Sequence, residues 1–67
     1  MADAVKVFNR ITGKMTSEEF CTAEEAEKKY FEYIRILNSR AYKGEEYIVT
    51  RFSEGRCMCA EVIVGTR

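Results

Sequence analysis

The stretch 22–37 constrains the fold more than any other part of the chain. Thr22 and Glu25 stand at capping-box spacing, where the Thr hydroxyl accepts from the backbone N–H three residues on and the Glu reaches back to the cap. Behind them Ala26, Tyr30, Tyr33, Ile34 and Leu37 recur at intervals that align them on one stripe of an α-helix. On the opposite face Glu24 with Lys28 and Glu25 with Lys29 are spaced for i,i+4 ion pairs. No other segment carries so long a helical pattern. The rest of the chain must therefore build the surface on which this one helix packs.

That surface reads as strands. Residues 4–11 contain the β-rich run Val5-Lys6-Val7-Phe8, which ends at Thr12-Gly13, where glycine admits the left-handed backbone of a tight hairpin. Residues 14–20 are expected to return as a second strand. A helix starting near Ser17 competes for that segment, because Thr16 and Glu19 also have capping-box spacing. After Leu37 the helical pattern fades through Asn38, Ser39 and Arg40, and Gly44 reverses the chain. Residues 45–52 and 56–64 read as a second hairpin, closed by a three-residue Ser53-Glu54-Gly55 loop or by Glu54-Gly55 alone. The expected architecture is α+β in the order ββαββ. One helix lies across an antiparallel sheet of three or four strands, and a single domain spans 1–67.

Loop length decides which side chains share a face, since a one-residue slip turns a strand over. With the three-residue loop, Ile48, Thr50 and Phe52 join Met58, Ala60, Val62 and Val64 on a face apolar enough to hold the helix. Tyr47, Val49, Arg51, Cys57, Cys59, Glu61 and Ile63 then occupy the other face, which is far from uniformly polar. One helix covers only one face, so the second is expected to meet another copy, a partner or a ligand.

At 67 residues the chain buries a small core. Three cysteines and no histidine fall short of the four ligands of a closed zinc site. Cys57 and Cys59, two apart in a strand, are expected to point the same way and not to bridge each other. An odd cysteine count with no signal-peptide pattern suggests the reducing cytoplasm. Eleven basic and eleven acidic residues cancel, which weighs against generic attraction to DNA or anionic membranes. No apolar run approaches the roughly 20 residues of a membrane span.

Chemistry finds little purchase in this composition. Histidine, the commonest general base, is missing, and a Cys57 or Cys59 pair with Glu61 has only Arg51 or Arg56 nearby to favour a thiolate. The four glycines stand apart near predicted turns or ends, so there is no phosphate-binding loop, and no cofactor is expected. Binding is the better-supported expectation. Phe31 and Ile36 flank the helix stripe on either side of Arg35, a combination suited to a protein contact, and Tyr47, Val49, Arg51 and Ile63 from the second sheet face complete the candidate surface. Lys6, Arg10, Arg51 and Arg56, interleaved with aromatics such as Tyr47, are the alternative set for single-stranded nucleic acid. An oligomeric small-ligand or nucleotide sponge is a third possibility.

The layout of hairpin, capped helix beginning Thr22-Ala23-Glu24-Glu25-Ala26, and second hairpin through Glu54-Gly55 resembles the short single-domain proteins of bacteriophages and mobile elements. Anti-CRISPR and other anti-defence inhibitors are among them. The resemblance is one of shape. It implies binding without chemistry, with a host enzyme or nucleoprotein complex as target. The unburied sheet face joined to a marginal single-helix core makes a homodimer, through that face or an edge strand, the expected state.

Overall fold

A computed structural model describes residues 3–66. The elements are β1 (Asp3–Asn9), β2 (Met15–Phe20), α1 (Ala23–Arg40), β3 (Glu46–Ser53) and β4 (Arg56–Val64). The four strands form one antiparallel sheet in the order β2-β1-β3-β4, with α1 against one face. This is the expected ββαββ arrangement, and residues 15–20 belong to a strand.

Local chemistry sets the ends of these elements. β1 stops at Asn9 and not at Ile11, because the Asn9 side-chain carbonyl accepts from the backbone N–H of Ile11 at 2.9 Å and of Thr12 at 3.2 Å. Such an Asx-type turn offers the amides an alternative to a strand ladder. Gly13 completes the reversal at φ 77°. At the helix start the Thr22 hydroxyl accepts from the Glu25 N–H at 3.2 Å. The reciprocal contact differs from the usual box, since Glu25 Oε1 accepts from the Thr22 hydroxyl at 3.4 Å and not from its amide. The helix runs three residues beyond Leu37, and the Ala41 N–H closes it on the Leu37 carbonyl at 2.8 Å. Among the described residues the helix carries one ion pair, Lys29 with Glu32 at 2.8 Å, in place of the two expected i,i+4 pairs.

The second hairpin has a two-residue loop. Ser53 pairs with Arg56, and Glu54 and Gly55 take φ of 51° and 81°, the double left-handed geometry whose twist suits a hairpin. A bulge then adds Met58 to β4 between the pairs Phe52–Cys57 and Arg51–Cys59. Beyond it Thr50 pairs with Ala60 and Ile48 with Val62, the grouping expected from the longer loop. The same extra residue puts Cys57 opposite Phe52 and Cys59 opposite Arg51, so the two thiols fall on opposite faces and not on one.

The helix takes the face that was expected to be left over. Val5, Val49 and Ile63 are fully buried with Ala26, Tyr30 and Ala41, and Val7, Phe20, Tyr33, Ile34, Leu37, Tyr47 and Cys59 pack around them. Ile48, Thr50, Phe52, Ala60, Val62 and Val64 lie on the other side. The inner strand β1 shows the contrast between the faces. Its residues Val5 and Val7 pair with Arg51 and Val49 on the helix side, whereas Lys6 pairs with Thr50 in the middle of the opposite face.

Candidate interaction surface

The uncovered face is built in rungs, one residue from each strand. Met15, Phe8, Ile48 and Val62 form an unbroken apolar rung across the whole sheet. Ser17, Lys6, Thr50 and Ala60 form the next, and Glu19, Ala4, Phe52 and Cys57 the one after. Val64 extends the apolar area beside Glu46. Met15, Val62 and Val64 are 58%, 53% and 57% exposed, while Phe8, Ile48 and Phe52 are half-buried by their neighbours alone. Lys6 lays its ammonium 4.7 Å from the centre of the Phe52 ring, a cation–π contact that keeps the charge at the surface. Arg10 is held to Glu46 at 3.1 Å at the rim.

A second, smaller apolar feature sits on the outer side of α1. Phe31 is 60% exposed and meets the Tyr30 ring edge-on at 5.3 Å, with Arg35 exposed one turn further along. Ile36 is half-buried. Of the sequence-predicted contact residues, Phe31 and Arg35 therefore are available. Val49 and Ile63 are not, because both lie in the core beneath the helix. Tyr47 and Arg51 are half-buried on that covered face, Tyr47 donating its hydroxyl to Glu45 at 3.4 Å and Arg51 keeping its Nε buried without a partner. The residues that sequence reasoning missed are Phe8, Met15, Ile48, Val62 and Val64. The alternation of β1 carried the signal, since Lys6 between Val5 and Val7 stands on the face that the helix leaves open.

The four basic residues do not converge. Lys6 is on the open face, Arg51 on the covered one, and Arg10 and Arg56 at opposite ends of the sheet. They supply no continuous track for a phosphate backbone.

The ionisable groups beneath the helix are arranged for packing. Burial pushes the Tyr30 phenol up to about 12, with the neighbouring Cys59 thiol and Glu61 carboxylate adding to the shift. Burial also raises Tyr33, whose hydroxyl donates to Glu18 at 3.0 Å and ties the edge strand β2 to the helix. The Lys29 partner holds the Glu32 carboxyl below its ordinary range. A shallow groove of about 290 Å³ runs between Phe20 and the helix residues Glu25, Lys28, Lys29 and Glu32, but its Lys29 and Glu32 already satisfy each other. Among the described residues no three His, Cys, Asp or Glu side chains gather as a metal site. No described helix is long and apolar enough to cross a membrane.

The fold is α+β, one helix on a four-stranded antiparallel sheet. Compared with family models, curated proteins and solved structures, the chain matches none.

Proposed function

We propose that this chain is a non-enzymatic interaction protein that covers a functional surface of a larger protein. The observation that carries the reading is the outer side of α1, where Phe31 is 60% exposed and Arg35 lies exposed one turn on, the aromatic and arginine combination that concentrates binding energy at protein contacts. The open sheet face, an apolar rung through all four strands with Met15 and Val62 more than half exposed, is a second association surface on the opposite side. The shape resemblance to phage and mobile-element inhibitors suggests the cytoplasm of a bacterial host, with a defence or other host complex as target.

The test is capture from bacterial lysate on the tagged protein, with and without nuclease, read by mass spectrometry and nucleic-acid staining. One host protein recovered at stoichiometric yield in both samples is expected. Phe31→Ala with Arg35→Glu should reduce that recovery at least tenfold while leaving the circular dichroism unchanged. Recovery of nucleic acid, or of proteins that vanish with nuclease, refutes the reading and puts the basic residues first.

A further inference from the structure

We infer that the open sheet face is occupied by a second copy of this chain, stacked face to face, which leaves the helices outermost. The inference deepens the proposed function, on which it rests, by dividing the two apolar features between self-association and partner. The second copy is selected by the pattern of the rungs. A two-fold axis between the sheets and along the strands sets β2 over β4 of the second copy and β1 over its β3. The apolar rung then lies on itself, with Met15 over Val62 and Phe8 over Ile48. In the next rung Lys6 faces Thr50 of the second copy, and in the third Glu19 faces Cys57. No formal charge meets a like charge. A two-fold running across the strands would instead set Lys6 on its own copy, set the apolar rung on the one holding Ser17, Lys6 and Thr50, or, through the apolar rung itself, set Lys6 over Arg10 of the second copy.

Size and charge agree with this occupant. Four strands about 4.8 Å apart and seven residues rising about 3.3 Å each give a face of roughly 19 by 23 Å. Summed over two copies that is on the order of 900 Å² before side-chain relief is counted, close to the roughly 1,000 Å² a specific interface needs. Formal net charge is zero, so copies do not repel at long range. Aligned sheet stacking is a standard way of closing two apolar faces. In the resulting α/β/β/α sandwich, Phe31 and Arg35 face outward twice, on opposite sides.

Native mass spectrometry and sedimentation velocity of the full chain test the stack. The wild type is expected to be a dimer. Met15→Lys and Val62→Glu, both at exposed positions and checked for folding by circular dichroism, should each raise the dimer Kd at least tenfold. Because Met15 of one copy lies over Val62 of the other, mixing the two variants should restore a heterodimer. A monomeric wild type, variants that dimerise normally, or a mixture with no heterodimer overturns the stack. An edge-to-edge β4 dimer would be unaffected by Met15→Lys, since β2 is the opposite edge. A monomer that still captures its host protein defeats this inference alone, and a dimer that captures nothing defeats the functional reading alone.

Discussion

The two faces of the sheet are made by the same four strands and are both rich in apolar side chains, yet one is sealed beneath the helix and the other is open. Hydrophobic content alone does not separate them. The covered face has Val5, Val49 and Ile63 buried, but it also carries Arg51 and Glu61. The open face has Phe8, Ile48, Phe52, Val62 and Val64, but Lys6 stands in its middle. Charge on an inner strand does not separate them either, since the covered face has Arg51 on β3, half-buried with its Nε unpartnered, and the open face has Lys6 on β1. What separates them is the side chains that the inner strands set at the middle of each face, Val7 beside Val49 on the covered one and Lys6 beside Thr50 on the open one. Position within the sheet counts for more than the number of apolar residues.

The contrast can be broken most violently at paired positions. Val49→Glu places a carboxylate in the core, and a loss of more than about 4 kcal/mol, enough to abolish folding, is expected. Val62→Glu puts the same group on the open face, where denaturation at concentrations too low for association should show a change within about 0.5 kcal/mol. Equal losses at both sites would mean that the faces are not distinct.

A smaller effect separates the faces by pH. Tyr30 is raised to about 12 in the folded chain from an ordinary value near 10, so the native state holds its proton where the unfolded state has released it. That stabilisation is complete below pH about 10 and is lost as pH rises toward 12. On the order of 2 kcal/mol should disappear across this window, and Tyr30→Phe should flatten most of that fall in urea titrations. A profile unchanged by the substitution would show that burial beneath the helix does not control this phenol.

The mildest perturbation sharpens the comparison by removing its marker. Lys6→Leu takes away the charge and the contact with Phe52, and the stability of the isolated chain should move by less than about 1 kcal/mol. Dimer affinity should rise, because Lys6 faces only a Thr50 hydroxyl across the stack. A fall in affinity would indicate that the ammonium makes a contact of its own with the second copy.

Much of this molecule was legible in particular residues. Thr22 and Glu25 announced the helix start, and Ala26, Tyr30, Ile34 and Leu37 announced its buried stripe. The hairpins were marked by Gly13 and Gly55. The length of the second loop was not, because Glu54 adopts a positive φ that glycine, asparagine or aspartate more commonly supply, and the bulge at Met58 then offsets the shorter turn. The candidate surface was legible only in part. Phe31 and Arg35 are exposed as their helical spacing predicts, whereas Val49 and Ile63, expected at the surface, lie beneath the helix.

The sequence by itself determined the elements and their order, since caps, helical stripes and glycine turns act over a few residues and need no distant partner. Only the tertiary structure decided which side of the sheet the helix seals. That choice depends on β1 pairing with β3 across some forty residues of chain to become an inner strand, which brings Lys6 to the centre of one face and Val5 and Val7 to the centre of the other. No local pattern in the β3–β4 hairpin contains that information, because alternation within a hairpin groups side chains into two faces without saying which one will be dry.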